Sequence, residues 1–149
     1  MSVFNKELPV AIGTDHAGYD DKEILKGYLQ ELGWTIDDKG TFSKESADYP
    51  DFAHPVASAV ETGKAAFGVL ICGSGIGVSI AANRHKGVRA ALCYNKDIAK
   101  LCREHNDANV ICLPARFISM EDMKEYINIF TETSFEGGRH IRRVEKIEL

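Results

Sequence analysis

Cysteine is scarce in this chain of 149 residues, and its spacing excludes two common classes of small protein. The four cysteines stand at positions 72, 93, 102 and 112, and no two of them form a C-x-x-C pair. Zinc ribbons need such pairs, and small disulfide scaffolds need a higher density of cysteine. We therefore expect four reduced thiols and no structural metal.

A surplus of positive charge and long apolar runs are lacking as well. The formal net charge of −4 leaves no basic surplus to neutralise a phosphate backbone, so we expect no nucleic-acid partner. No segment approaches the ~20 consecutive apolar residues that a membrane span requires, and we expect no membrane partner. Residues 1–9 contain no apolar run of the secretory type, which predicts a cytoplasmic protein.

What the sequence does contain is a regular alternation of apolar runs with helical patterns, over a length that suits a single domain spanning 1–149. The runs predict strands at 8–13, 34–36, 67–72, 88–93 and 109–113. This alternation predicts an α/β fold, a three-layer α/β/α Rossmann-like domain with a five-stranded parallel sheet. Residues 1–6 are expected to form a flexible extension, and 137–149 a polar, exposed C-terminal helix.

The helices that follow strands four and five carry recognisable start signals. Asn95 is a predicted N-cap, with Ile98, Leu101 and Cys102 expected to face inward. Ser119 precedes an acidic residue by three positions, which is a capping pattern.

Ligands of parallel sheets bind beyond the carboxyl ends of the strands, so residues that directly follow a strand are candidate site residues. Asp15 and His16 follow the first strand. An alternative is that Asp15 caps the next helix and that His16 is only solvated.

The third strand ends in Cys72, followed by Ser74 and three glycines, Gly73, Gly75 and Gly77. Glycines let the backbone approach a ligand closely, and the amides that open the following helix can face an anion. A thiol at a helix N-terminus is favoured as the reactive thiolate. The alternative is a dinucleotide-binding loop, but the spacing is G-x-G-x-G and no acidic residue ends the fourth strand to hold a ribose.

Other candidates lie near the fifth strand and in the tail. His105 and Asn106 precede the fifth strand, where His105 continues an apolar stripe and could instead be a core histidine. Arg139 and Arg143 are four residues apart on one helical face, a spacing that can clamp a phosphate, with Arg116 after the fifth strand as a third charge. A solvated basic face is the alternative for these arginines.

Taken together, these motifs resemble the ribose-5-phosphate isomerase B family, which also contains galactose-6-phosphate and allose-6-phosphate isomerases. The resemblance extends from the first strand to the last helix, and its segments are 15–18 (DHAG), 48–50 (DYP), 72–77 (CGSGIG), 81–83 (AAN), 105–110 (HNDANV) and 138–140 (GRH) with Arg143.

The resemblance implies that Cys72 is the base that moves a proton between C1 and C2 of an opened sugar. It implies that Ser74 and the amides of the loop 73–77 stabilise the enediolate oxygen, and that His105 opens the furanose ring. The remaining implied roles are Asp15 beside the sugar as a further catalytic group, phosphate contacts from His16, Arg139, Arg143 and Arg116, and a sugar pocket lined by Asn106 and Tyr49. No metal or cofactor is implied.

Two details refine the expectation. One branch of the family uses a glutamate just past the glycine loop, and Val78 occupies that position here, so the chain resembles the cysteine branch. In the family, galactose-6-phosphate isomerase chains that work in pairs tend to lose the His-Asn pair in one partner. His105 and Asn106 are both present here, so the resemblance favours a self-sufficient pentose-phosphate enzyme that interconverts ribose 5-phosphate and ribulose 5-phosphate. The alternatives are an isomerase of allose 6-phosphate or galactose 6-phosphate and a non-catalytic phospho-sugar sensor. The resemblance also implies a homodimer, or a tetramer, with the active site at the subunit interface.

Overall fold

A single parallel sheet organises the computed structural model, which describes all residues 1–149. Its strands are β1 (Val10–Thr14), β2 (Ile36–Asp38), β3 (Phe67–Cys72), β4 (Ala90–Leu92) and β5 (Val110–Pro114). They lie in the order β2-β1-β3-β5-β4, and every neighbouring pair is parallel. The predicted five-stranded α/β architecture is confirmed. The chain turns from one half of the sheet to the other between β1 and β3, which opens a crevice at their carboxyl ends.

The chain forms six helices: α1 (Tyr19–Glu31), α2 (Pro50–Glu61), α3 (Ile76–Ala82), α4 (Lys96–Asn106), α5 (Met120–Glu132) and α6 (Arg139–Glu145). One core cluster packs α1, α4 and α5 on one face, and a second packs α2 and α3 on the other. Because both faces are covered, β1, β3 and β5 are buried along their whole length and read as continuous apolar runs. None of these helices has the length and apolarity needed to cross a membrane.

The predicted helix starts at Asn95 and Ser119 are confirmed. The side chain of Asn95 accepts a hydrogen bond from the backbone N–H of Ile98 over 2.8 Å. Ser119 and Asp122 form a reciprocal capping box. The inward stripe of α4 is only partly right, since Leu101 is 38% exposed.

The second strand was predicted at 34–36 and lies instead at Ile36–Asp38. Trp34 is a buried core residue that meets the Phe67 ring edge-on, with ring centroids 5.2 Å apart. The strand itself is polar because it is an edge strand, and Asp38 pairs with the fully buried Lys22 of α1 over 2.6 Å. Pairing with β1, more than apolar content, therefore determines which residues form this strand.

The two ends of the chain also differ from expectation. Residues 1–6, expected to be flexible, make defined contacts: the Phe4 ring stacks on Phe130 with centroids 5.5 Å apart and lies 4.9 Å from Phe67. Val3 donates a backbone hydrogen bond to Thr131 over 2.7 Å. The C-terminal helix is shorter than the predicted 137–149 and covers only Arg139–Glu145.

Candidate active site

The crevice between β1 and β3 contains a cavity of about 410 Å³. Thr14, the last residue of β1, pairs with Ile71, so the residues that follow β1 and β3 meet directly above the sheet. The lining residues are Asp15, His16, Ala17, Tyr49, Cys72, Gly73, Ser74, Gly77, Arg116 and Phe117. Eight of these ten were candidate site residues in the sequence.

Cys72 ends β3 at the floor of this cavity and is 4% exposed. Its Sγ accepts a hydrogen bond from the backbone N–H of Gly75 over 3.1 Å. Gly75 has a φ of 72°, and a Cβ there would lie 2.5 Å from the side chain of Leu92, so only glycine fits this turn. The turn thus directs an amide at the sulfur, and such a donor stabilises a thiolate more than a thiol.

The other two glycines of the loop make room for side chains of the cavity wall. A Cβ on Gly73 would lie 3.1 Å from Nε of Arg116, and one on Gly77 would lie 2.6 Å from the Tyr49 ring. The β3–β5 pairing continues past the strands, because the Arg116 N–H donates to the carbonyl of Gly73 over 3.0 Å. Arg116 and Tyr49 are therefore placed against opposite parts of the same loop.

The hydrogen bonds of His16 determine which of its nitrogens faces a ligand as a donor. Its Nδ1 accepts a hydrogen bond from the backbone N–H of Ala47 over 3.1 Å. Neutral His16 then carries its proton on Nε2, which is available to donate to a phosphate or sugar oxygen.

Asp15 is both a helix cap and a residue of the cavity, the two interpretations that the sequence offered. It caps the short 3₁₀ turn at His16–Gly18 by accepting the N–H of Ala17 over 2.9 Å, and it also lines the cavity.

The remaining candidate residues lie outside this cavity. His105 and Asn106 end α4, and Arg139 and Arg143 are exposed on α6. In a parallel α/β fold a helix runs back from the carboxyl edge of the sheet, so its end lies at the amino edge. The five residues of β5 alone span about 16 Å between these edges. Within one chain the candidates therefore form two groups at opposite edges of the sheet. The Cys72 group lines the cavity, and the His105 group consists of His105, Asn106, Arg139 and Arg143.

Comparison with known proteins assigns this arrangement to a family. The family model described as Ribose/Galactose Isomerase matches residues 10–147 of this chain. This chain belongs to the ribose/galactose isomerase family. Its curated relatives in this family include the ribose-5-phosphate isomerase B of Escherichia coli, 44% identical over 138 residues, which are 93% of each chain. The family resemblance of the sequence motifs is thereby confirmed.

Solved structures of the family share the fold throughout. A ribose 5-phosphate isomerase from Thermotoga maritima superposes with a TM-score of 0.92 at 48% identity, covering 95% of this chain and 97% of that one. The ribose-5-phosphate isomerase B of Mycoplasma genitalium, solved with bound ribulose-5-phosphate, gives 0.91 at 39% identity, covering 96% and 95%.

Sequence reasoning missed several residues around the two groups. Phe117 lines the cavity and is 75% exposed; an aromatic side chain directly after Arg116, beyond the end of β5, could have signalled it. His140 lies against His105, with ring centroids 4.3 Å apart, and Glu136 lies beside His140. The motif that contains His140 was recognised, but nothing local in the sequence pairs it with His105.

The other three cysteines are core residues. Cys93, Cys102 and Cys112 are all buried and unpaired by disulfides. Sγ of Cys93 lies 3.9 Å from Sγ of Cys102. Burial raises the pKa of the Cys112 thiol above its ordinary range, which keeps it protonated and unreactive. Cys72 is therefore the cysteine with a cavity in front of it.

Proposed function

We propose that this chain is a cytoplasmic aldose–ketose isomerase that interconverts ribose 5-phosphate and ribulose 5-phosphate. The observation that carries the proposal is Cys72, held by the Gly75 amide at the floor of a cavity in a ribose/galactose isomerase fold. Relatives at 39–48% identity bear the name ribose-5-phosphate isomerase, and one of them was solved with ribulose-5-phosphate bound. Four free cysteines suit the reducing cytoplasm.

The proton transfer needs one base and one donor for the developing oxygen charge. The Cys72 thiolate removes the proton from C2 of the open aldose, and O1 takes up the negative charge of the resulting enediolate. The thiol then returns the proton to C1 while the O2 hydroxyl proton passes to O1, so that O2 becomes the carbonyl oxygen of the ketose. Ser74 supports this step: its Oγ accepts the N–H of Ile76 over 3.2 Å, so its own O–H is available to donate to the enediolate oxygen. No atom is gained or lost in the cycle.

We assign ring opening and phosphate binding to the His105 group. His105 gives a proton to the ring oxygen as the C1–O bond breaks, while the anomeric hydroxyl releases its proton to water. Arg139 and Arg143, four residues apart on α6, bind the phosphate as charged donors, and neither makes an ion pair within the chain. Asn106 contacts the sugar.

Because the two groups lie at opposite edges of one sheet, we propose that a second copy of the chain completes each site. An exposed apolar surface beside the Cys72 cavity supports this. Ile76, Tyr94 and Phe117 are 51%, 55% and 75% exposed and line one groove together with Ser74, and Ile80 of the same helix as Ile76 is 56% exposed. Monomeric proteins rarely leave such side chains together in water. A two-fold homodimer that packs the amino edge of one copy against this surface would form two equivalent sites.

The test is an isomerase assay on the purified protein. Incubation with ribose 5-phosphate should form ketose at a catalysed rate. Allose 6-phosphate and galactose 6-phosphate are run in parallel, because the family description includes galactose. A clear preference for a six-carbon phosphate would replace the pentose assignment. Absence of ketose from all three sugars would refute isomerase activity.

A further inference from the structure

The imidazole of His105 does not stand alone at the end of α4. The ring of His140, in the first turn of α6, stacks on it with centroids 4.3 Å apart and an interplanar angle of 14°. His105 is half-buried, whereas His140 is 6% exposed and so is the inner ring of the pair. Two rings in such close parallel contact restrict each other's rotation.

The carboxylate of Glu136 lies beside the inner ring. One of its oxygens lies 3.5 Å from Nε2 of His140, which is ion-pair distance. The backbone of Glu136 is itself attached to α4, since its N–H donates to the carbonyl of Glu104 over 3.0 Å. The Glu136 carboxylate, the His140 ring and the His105 ring thus form a series of contacts, and both ends of the series are attached to α4.

Buried Arg103 attaches the same two segments to each other. Its Nε donates to the carbonyl of Thr133 over 3.1 Å, and its guanidinium donates to Asp107 over 2.9 Å. Thr133 begins the segment that leads to Glu136, and Asp107 is the C-cap of α4. The elements that carry His105 and His140 therefore share one rigid support.

A metal ion is an alternative explanation of this cluster. Ligand atoms of His105, Glu136 and His140 all lie within 4.8 Å of one another. The lone pairs of an imidazole lie in the ring plane, however, and two stacked rings direct them side by side rather than at one point. A tetrahedral ion would require one ring to turn and the stack to break. The observed arrangement suits orientation of a ring and not coordination.

We propose that His140, held by Glu136, is a positioning residue that keeps the His105 imidazole aligned for ring opening. This rests on the proposed function, in which His105 delivers a proton to the ring oxygen. His140 itself touches no reacting atom. Its loss should therefore impair the opening of a cyclic sugar and spare the proton transfer at Cys72, which acts on an open chain.

A double-mutant cycle tests the coupling. His140→Ala, His105→Asn and the double variant are compared by the initial rate on ribose 5-phosphate and by solvent-deuterium exchange into ribulose 5-phosphate. His140→Ala should lower the first rate about tenfold and leave the exchange within about twofold, because a misaligned acid affects only the step that it catalyses. In the His105→Asn background, removal of His140 should cost nothing further.

The opposite results would overturn the proposal. His140 acts independently of His105 if His140→Ala slows deuterium exchange as much as it slows isomerisation. The same conclusion follows if His140→Ala lowers the rate of the His105→Asn variant by the same factor as that of the parent. His140→Phe keeps a flat ring but loses the Glu136 contact, and it should recover part of the rate lost in His140→Ala; no recovery would exclude stacking as the cause. Glu136→Gln should show a smaller loss of the same kind. Glu132→Gln removes a nearby exposed carboxylate and is the matched control.

One measurement separates this proposal from the proposed function. The ¹H–¹⁵N signals of the His105 ring are recorded in the parent and in His140→Ala, with the melting temperature as a check on folding. Loss of the stacked ring should shift these signals even if the parent converts no sugar phosphate, in which case the proposed function fails by itself. Unchanged signals in a folded variant would show that the two rings do not interact, and would overturn the positioning role.

Discussion

Cys72 and His105 lie at opposite edges of the same parallel sheet. Cys72 is the last residue of β3, at its carboxyl end, whereas His105 ends α4 and precedes the first residue of β5 by five positions. A single chain therefore cannot present both side chains to one small sugar, and two copies must meet if both act on it.

Mixing of two impaired variants tests this sharing: Cys72→Ala lacks the base, and Arg143→Ala has little activity at substrate concentrations well below its raised KM. Cys72→Ala and Arg143→Ala are combined under conditions that allow subunits to exchange, and activity is measured at low substrate concentration. If each site takes Cys72 from one copy and Arg143 from the other, random exchange should restore about a quarter of the parent activity, since half of the dimers then hold one intact site. No recovery after proven exchange would place both residues in the same chain's site.

Removal of the thiol should abolish turnover without unfolding the protein. In Cys72→Ala we expect turnover to fall by about three orders of magnitude or more, because no other base lies at this position. Binding of the phosphorylated sugar should persist, as calorimetry can show. Cys102→Ser also loses a buried thiol but lies far from the cavity, and it should keep most of the parent turnover. Near-normal turnover in Cys72→Ala would remove Cys72 from the base role.

The arginines of α6 should act on binding more than on chemistry. Arg139→Ala and Arg143→Ala should each raise KM about tenfold or more and change kcat little, because a phosphate contact holds ground and transition states alike. Steady-state kinetics with ribose 5-phosphate measure both constants. Arg142→Ala removes an adjacent exposed arginine on another face of the same helix and should leave KM unchanged. An unchanged KM in Arg143→Ala would exclude that residue from the phosphate site.

Stability should depend on Asp38 in acid. Burial alone would raise the pKa of Asp38, but hydrogen bonds from Lys22 and Lys26 hold the pKa below its usual value. A group with a depressed folded pKa stabilises the fold above its unfolded value of about 3.9, and that contribution is lost as pH falls through the folded pKa. Denaturant melts should therefore show a loss of unfolding free energy below about pH 4.

Asp38→Asn should remove this acid dependence and destabilise the protein at neutral pH. Lys22 is fully buried, so loss of the charged partner leaves a buried ammonium poorly compensated, at a cost of about 3 kcal/mol. Asp37→Asn is the matched control. Asp37 forms a partly exposed pair with Lys39, and its loss should cost less than about 1 kcal/mol. Equal effects of the two substitutions would contradict a special role for the buried pair.

The sequence by itself determined the local structure and the chemical inventory. Apolar runs between helical patterns predicted β1, β3 and β5, because a strand buried on both faces needs apolar residues throughout, whereas the polar edge strand β2 was predicted two residues too early. Asn95 and Ser119 predicted helix starts correctly, since a cap depends on residues only two or three positions away. Cys72 and Asp15 were recognisable for a similar reason. Cys72 ends β3 and Asp15 follows β1, and the carboxyl ends of parallel strands lie at the same edge of the sheet.

Tertiary structure decided what depends on distant residues. The strand order placed β1 beside β3 and so brought His16, Cys72 and Arg116 to one cavity. The direction of α4 carried His105 to the other edge, where packing of α6 stacked His140 on it. Phe4 was drawn into the core by Phe67 and Phe130. These relationships arise from packing between segments far apart in sequence, and no local pattern of residues encodes which surfaces will meet.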